Sequence, residues 1–303
     1  MTIFGINFQL EKYSVDLALN TAQLLEDLGF NAIFVNDHYM KPNDSNSPDA
    51  YLTLSAIAAQ TKKILIGTAV TPIPFRPAPL IAKMVATLDN ISKGRFLFGV
   101  GAGRIETEFE AYGVEFLLSA DRVTQTVESL KLIKRMWTEK KVTFKGVYNK
   151  VKDSVLLPKP FQKPHPPILI GSRGPRMCKV TARLADGWIP IFLTQEEYKQ
   201  QMEKILREAN KLGRRRDDFT FVHNIPYIPA MNRKEGIKKY SENQFFRARN
   251  ESFAIGSPRE CAQQLQGYID LGIDLILIRL YNVHKFREQI LTIHHKILPR
   301  LSS

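Results

Sequence analysis

An acid and a histidine stand side by side directly after a short apolar run. Asp37 and His38 follow residues 31–36, whose apolar centre predicts a buried strand. Histidine titrates near neutral pH without any perturbation, so His38 could accept or donate a proton during a reaction. A histidine that only caps a loop would have the same sequence signature. The pair alone leaves both interpretations open.

A second group of residues could bind phosphate. In the segment ILIGSRGPRM, an apolar run is followed by a turn with Gly171 and Gly174 and then by Pro175, which is typical of a helix start. Backbone N–H groups at a helix N-terminus attract anions, and glycine lets the anion approach closely. Ser172 and Arg173 add donors. Residues 171–174 are therefore a candidate phosphate site, with an ordinary strand-to-helix turn as the alternative.

Three alternating glycines, Gly99, Gly101 and Gly103, end another apolar run. A dinucleotide-binding turn needs a third glycine three residues after the second glycine of a G-x-G pair. That position is Arg104 when counted from the first pair and Glu106 when counted from the second. The spacing therefore excludes this turn. It favours a strand end at which small residues let a cofactor lie close to the backbone.

The elements that would position these residues alternate between strand and helix along the whole chain. Helices that separate apolar strands imply a parallel sheet covered on both faces. Eight such units in 303 residues favour a closed barrel over an open sheet. The predicted fold is α/β, a (β/α)8 TIM barrel with insertion segments, in a single domain over residues 1–303. The predicted strands are residues 3–8, 31–36, 63–70, 95–100, 168–171, 187–192, 219–229 and 274–280.

In such a barrel the ligand site lies where the strands end. This placement brings together residues 36–38, 69–71, 101–104 and 171–174. A proline-rich stretch, residues 142–167, is predicted to leave the scaffold and return to it. No histidine pair has zinc-ligand spacing with an acid, so no metal site is predicted. The histidines with weaker cases for catalysis are His165, His223, His284, His294 and His295.

The chain carries a formal net charge of +13, with basic residues scattered over most predicted helices. This distribution favours solvated surfaces over nucleic-acid binding, and it would also favour a phosphorylated or polycarboxylate ligand. No run of about 18 apolar residues could cross a membrane. The N-terminus lacks signal-peptide features, and Cys178 and Cys261 are predicted to be buried thiols. These features are typical of a cytoplasmic protein.

Taken together, the segments resemble the bacterial luciferase-like superfamily of flavin- and deazaflavin-dependent oxidoreductases. They run in the family's order over nearly the whole chain, and the block ATLDxISxGRxxxGVGAG is the most specific. The resemblance implies a barrel, often dimeric, that moves a hydride between coenzyme F420 and a small organic substrate. An FMN-dependent monooxygenase and a non-catalytic flavin-binding protein are the alternatives. The segments are GFNAIFVNDH, KILIGTAVTPIPFRPAPLIAKMVATLDNISKGRFLFGVGAG, EFEAYGV, PKPFQKPHPPILIGSRGP, ARLADGW and GSPRECAQQLQGYIDLGID.

The resemblance also implies roles for individual residues. His38 matches a proton donor or acceptor at the ring end of the cofactor, and Asp37 would position the ring or the histidine. Ala69 and Val70 match a non-prolyl cis peptide that supports the ring. Arg104 stands where F420-dependent sugar-phosphate dehydrogenases have a glutamate, so we expect a different substrate. The residues expected at the cofactor are Asp37, Ala69, Val70, Thr71, Gly101, Gly103, Gly171, Ser172, Arg173 and Gly174.

Overall fold

The computed structural model describes residues 1–12, 14–40, 47–280 and 285–302. Within these residues, eight strands pair in parallel, and the last pairs with the first as well as with the seventh. The sheet is therefore closed, which confirms the predicted barrel. The strands are β1 (Ile3–Phe8), β2 (Ala32–Val35), β3 (Leu65–Thr68), β4 (Phe96–Gly101), β5 (Ile168–Ile170), β6 (Gly187–Trp188), β7 (Thr220–Pro229) and β8 (Leu275–Leu280).

Two strands are much shorter than predicted, whereas the others agree within one residue at each end. The apolar run of residues 63–70 forms a strand only over Leu65–Thr68, and residues 69–70 lie beyond its end. The run of residues 187–192 forms a strand only at Gly187–Trp188. Pro190 lies within this second run and has no N–H to donate to a neighbouring strand. The apolar runs therefore overestimated the length of both strands.

Helices lie between the strands, and side chains cap the first turns of several of them. The Asp49 side chain accepts from the Leu52 N–H, and Ser257 with Glu260 forms a capping box. The described helices are α1 (Val15–Asp27), α2 (Ala50–Gln60), α3 (Ala78–Ser92), α4 (Glu106–Ala111), α5 (Ser119–Thr138), α6 (Pro175–Leu184), α7 (Gln195–Asn210), α8 (Arg233–Lys239), α9 (Gln244–Arg249), α10 (Pro258–Ile269) and α11 (Phe286–Thr292).

Apolar side chains fill three regions: one between the barrel and its helices, a smaller one inside the barrel, and a third around Ile228, Phe246 and Ile255. Phe34 belongs to the inner region. A Cβ atom at Gly67 would lie 2.4 Å from the Phe34 ring, so glycine in β3 leaves the space that this ring occupies. The barrel interior below the strand ends is thus a packed core, and a ligand has to bind at the opening above it.

Two segments leave the strand–helix alternation. The first contains an antiparallel hairpin of strands Val142–Lys145 and Lys150–Ser154. The Glu128 carboxylate on α5 accepts backbone N–H groups from residues 147–149 at 2.6–2.9 Å, which fastens the hairpin to the barrel. This is the excursion and return that the sequence predicts. The second segment follows β7 and consists of α8, α9 and a strand, Ala254–Gly256, that pairs with β7.

Within the described ranges, no helix combines the length and apolarity needed to cross a membrane. Cys178 and Cys261 are free and buried, as predicted. Burial raises the pKa of the Cys261 thiol to about 12 and raises that of Cys178 as well. Both thiols therefore stay protonated at neutral pH, which indicates packing roles.

Candidate active site

The predicted strand ends lie side by side along one arc of the barrel opening. The Ala69 N–H donates to the Val35 carbonyl at 2.8 Å, and the Gly171 N–H donates to the Val100 carbonyl at 2.8 Å. Residues 71–72 pair with residues 100–101. Segments 36–38, 69–71, 101–104 and 171–174 are thus brought together, because they follow neighbouring strands β2 to β5.

His38 is held at this opening by a glutamate from α4. Its Nδ1 atom lies 3.1 Å and 3.3 Å from the two carboxylate oxygens of Glu108. The same carboxylate accepts the Tyr39 backbone N–H at 2.6 Å. The side chain of Glu108 is 2% exposed and that of His38 is 22% exposed. One nitrogen of the imidazole is therefore fixed by the protein, and the ring remains partly accessible.

Asp37, the neighbour of His38, lies in a different network. Arg76 donates to its two carboxylate oxygens at 2.7 Å and 2.9 Å and also donates to Asp49 at 3.1 Å. The Thr71 hydroxyl forms a hydrogen bond with Asp37 and another, of 3.0 Å, with the hydroxyl of Tyr51. The structure thus places Asp37 and Thr71 in a buried polar cluster behind the opening. Their contact with a cofactor stays a prediction.

The charges of this cluster depend on each other. Burial raises the pKa of Asp37, and the Arg76 guanidinium opposes that rise. For Arg76, burial disfavours the cation, but the adjacent Asp37 outweighs burial and raises the pKa. Two parallel hydrogen bonds between a guanidinium and a carboxylate are the geometry of an ionised pair. We therefore treat Asp37 and Arg76 as a buried ion pair at neutral pH.

Val70 forms a wall beside the opening. The Ala69–Val70 peptide is cis, which is the feature that the family resemblance implied at this position. A Cβ atom at Gly171 would lie 2.6 Å from the Val70 side chain, and one at Gly101 would lie 2.9 Å from it. Any larger residue at position 101 or 171 would overlap Val70. The two glycines therefore let bare backbone pack against the Val70 side chain. Gly103 has a φ of 74°, a left-handed conformation that glycine adopts readily.

Residues 171–174 lead directly into α6, as predicted. Gly174 is its N-cap, and no atom lies within 4 Å of a Cβ added there. The Ser172 hydroxyl oxygen is buried without a hydrogen-bond partner among the described residues. An open glycine and an unpaired hydroxyl at the positive end of a helix together form a site suited to an anion.

Arginines surround this loop. Burial lowers the pKa of Arg173, and the neighbouring cations Arg249 and Arg104 act in the same direction, while Glu197 opposes them. Arg249 donates to Glu197 at 3.1 Å. The loop therefore lies in a region where positive charge exceeds negative charge, and an anionic ligand would relieve that repulsion.

Two asparagines inside the barrel extend the polar surface. Asn7 on β1 and Asn224 on β7 are 1% and 4% exposed. Alternation along each strand puts them on the faces of Ile3 and Val222, which pack in the inner core. Both polar side-chain atoms of Asn7 and the Oδ1 atom of Asn224 have no hydrogen-bond partner among the described residues. Such atoms indicate where the polar edge of a ligand would complete the hydrogen bonding.

These features fit a cofactor with a flat ring and a phosphate. Val70, packed on the bare backbone of Gly101 and Gly171, offers a wall for the ring, and Asn7 and Asn224 offer unpaired polar atoms inside the barrel. Residues 171–174 offer the anion site. The fit rests on this wall, on the open glycine at the start of α6 and on the unpaired buried atoms.

The sequence interpretation assigned no role to four residues of this region: Arg76, Glu108, Asn7 and Asn224. Arg76 lies in the segment IPFRPAP, where an arginine among apolar residues and prolines is a usable sign of a buried ion pair. Glu108 lies in the short helix ETEFEA, whose sequence does not distinguish a buried acid from an exposed one. The asparagines occupy inward positions of otherwise apolar strands.

The other histidines in the described part of the chain lie away from this arc. His223 is buried in β7, and its two ring nitrogens lie 3.2 Å and 3.1 Å from the carbonyls of Pro190 and Leu193. The Nδ1 atom of His165 lies 3.0 Å from the Pro166 carbonyl. His294 and His295 follow α11, and His284 lies outside the described residues. In the described part of the chain, no group of three or more His, Cys, Asp or Glu side chains could hold a metal ion.

Comparisons with known proteins agree with this geometry. The family model for luciferase-like monooxygenases matches residues 7–253. The chain therefore belongs to the luciferase-like monooxygenase family, as the sequence resemblance suggested.

Individual relatives carry different cofactor names. The chain is 28% identical to an F420-dependent glucose-6-phosphate dehydrogenase of Microbacterium testaceum, over 98% of this chain and 97% of the relative. It is 29% identical to an FMNH(2)-dependent dimethylsulfone monooxygenase of Pseudomonas putida, over 68% of this chain and 56% of the relative. A solved F420-dependent secondary alcohol dehydrogenase in complex with an F420-acetone adduct has the same fold, with a TM-score of 0.88, 22% identity and coverage of 100% and 99%.

Proposed function

We propose that this protein is an oxidoreductase that moves a hydride between coenzyme F420 and a small organic substrate. The observation that carries the proposal is the position of His38, whose Nδ1 is fixed by Glu108, on the same arc as the glycine-lined Val70 wall. A partly exposed imidazole at the ring end of such a wall can exchange a proton with a substrate. When bound, the deazaflavin supplies the hydride donor or acceptor.

The chain's own residues would bind the cofactor and the substrate in this orientation. Ala69, Val70, Gly101 and Gly103 form the wall for the ring, and Asp37 with Thr71 supports it from behind. Gly171, Ser172, Arg173 and Gly174 bind the phosphate through backbone and side-chain donors. His38 exchanges the proton that accompanies hydride transfer. Val70 and the packed barrel interior exclude water from one side of the reacting atoms.

The positive region around the phosphate loop favours F420 over FMN. F420 carries a polyglutamate tail beyond its phosphate, and Arg104, Arg173 and Arg249 lie where additional negative charge is stabilising. The F420-dependent relative that matches nearly the whole chain also supports this choice. Arg104 replaces an acid of the sugar-phosphate dehydrogenases, so we expect a substrate other than their sugar phosphate.

An FMN-dependent monooxygenase is the second candidate, and the match to a dimethylsulfone monooxygenase favours it. The two functions predict opposite oxygen dependence. A protein that binds a flavin without turnover is the remaining alternative, and it would give no product with either cofactor.

The proposed activity can be tested with oxidised F420 and a panel of primary alcohols, secondary alcohols, sugar phosphates and amines in the absence of oxygen. We expect at least one compound to bleach the deazaflavin absorbance, and the His38→Gln variant to be slower by roughly 100-fold or more. The matched control is His295→Gln, a change at an exposed histidine near the C-terminus. Turnover that requires reduced FMN and oxygen, with none on F420, would reject the proposal in favour of the monooxygenase.

The family resemblance further suggests a homodimer in the cytoplasm. Leu52 on α2 and Leu80 on α3 are 74% and 49% exposed, and such apolar side chains on neighbouring helices are suited to an interface. A monomeric mass in light scattering at micromolar concentration would contradict the dimer.

A further inference from the structure

We propose that Glu108 is a positioning residue that keeps the proton of the neutral His38 ring on Nδ1 and thereby leaves Nε2 as the atom that exchanges a proton. This inference deepens the proposed function and rests on it for its catalytic consequence. Its structural part, the tautomer of His38, can be measured on the protein alone.

The contacts of the Glu108 carboxylate fix the direction of its hydrogen bonds. The Tyr39 backbone N–H can only donate, so the oxygen at 2.6 Å from it must accept. An ionised carboxylate is an acceptor on both oxygens. The His38 Nδ1 atom, at 3.1 Å and 3.3 Å from these oxygens, is therefore the donor, and the neutral ring carries its proton there.

The surroundings of Glu108 hold its carboxylate in place. The side chain is 2% exposed. The adjacent Phe109 ring lies 4.3 Å from that of Phe75, which in turn lies 4.6 Å from that of Tyr39. These tilted rings pack beside the contact, so that the imidazole is oriented by a group that has little freedom to move.

Asp37 cannot take over this task, because Arg76 binds its two carboxylate oxygens. Nε2 of His38 forms no hydrogen bond or ion pair within the described residues, and the side chain is 22% exposed. With Nδ1–H donated to Glu108, Nε2 presents a lone pair to the opening. A proton taken up there makes an imidazolium ion that the carboxylate stabilises, and the proton is returned from the same atom.

The Glu108→Gln substitution tests this assignment, because it replaces one acceptor oxygen by an NH2 donor. With the amide oxygen accepting the Tyr39 N–H, the NH2 group takes the place of Oε2, the oxygen nearer to Nδ1, and favours the proton on Nε2. We expect nitrogen NMR of the ring to show Nδ1–H in the wild type and Nε2–H in Glu108→Gln. The His38→Gln spectrum identifies the signal. Glu110→Gln, a change at an exposed acid on the same helix, should leave the wild-type tautomer.

Kinetics then separate positioning from a general loss of structure. We expect Glu108→Gln to lower kcat by roughly 100-fold, with KM and F420 affinity within about three-fold of the wild type. Nε2–H in the wild-type ring, or an unchanged tautomer in Glu108→Gln, would overturn the proposal. Failure of the wild type to bind F420 or FMN would instead count against the proposed function, because the tautomer is measured without either.

Discussion

Asp37, the sequence neighbour of His38, and Glu108, its hydrogen-bond partner, are both buried acids, and their contacts give them different tasks. Arg76 binds Asp37 through two hydrogen bonds, whereas Glu108 binds the imidazole of His38 and the backbone of Tyr39. The ion pair supports the loop that carries the histidine, and the glutamate orients the ring. Sequence adjacency of Asp37 and His38 therefore does not make them a direct catalytic pair.

For the buried ion pair, replacing one partner should destabilise the fold more than replacing both. Arg76→Met leaves Asp37, which is 2% exposed, without its cation. We expect the free energy of unfolding to fall by about 3–5 kcal/mol, measured by urea denaturation at pH 7. The double variant Asp37→Asn with Arg76→Met should recover part of this loss, because no uncompensated charge remains.

An exposed pair provides the control for this prediction. Arg135 and Glu139 form an i,i+4 ion pair on α5 and its C-cap. Arg135→Met should change stability little, since solvent screens such pairs. The account of Asp37 is wrong if Arg76→Met is no more destabilising than this control.

At the element scale, His223 ties β7 to the segment between β6 and α7. Burial lowers the pKa of His223 to about 4, against an ordinary value of 6.5. The neutral ring is therefore the native form, and the unfolded chain takes up a proton first as pH falls. The contribution of His223 to stability is fully present above pH 6.5. It is lost progressively as pH falls towards 4, by about 3 kcal/mol in total.

Urea denaturation at pH 7 and pH 4.5 measures this loss. The wild type should lose more stability between these two conditions than His223→Gln, which has no titrating ring in β7. The exposed His295→Gln variant should behave as the wild type does. Equal losses in the wild type and His223→Gln would show that the ring does not titrate as its burial requires.

The element order was predictable from sequence, because apolar strands and capped amphipathic helices alternate with short connections. The barrel fold also predicted that the strand ends meet, and that His38, Val70 and the loop at residues 171–174 lie on the same side of the barrel. The contacts between side chains of distant loops could not be predicted from the sequence. Arg76 reaches Asp37 across 39 positions and Glu108 reaches His38 across 70. Helix or strand periodicity does not specify which way a loop side chain points.

At the scale of the whole molecule, a closed barrel brings four separate loops to one arc and leaves the inner core below it packed. A proton-exchanging histidine, a wall for a ring and an anion site then lie in that order along β2 to β5. We propose that a deazaflavin binds along this arc, with its phosphate at residues 171–174.

Fluorescence titration with F420 and FMN, each oxidised and reduced, tests this binding site most directly. We expect wild-type protein to bind F420 more tightly than FMN. Arg173→Ala together with Gly174→Asp should weaken F420 binding by about ten-fold or more, because a donor is lost and a negative charge is added where the phosphate binds. Arg183→Ala near the C-terminus of α6 is the matched control and should bind as the wild type does. Unchanged F420 affinity in the double variant, or no F420 binding by the wild type, would contradict the account.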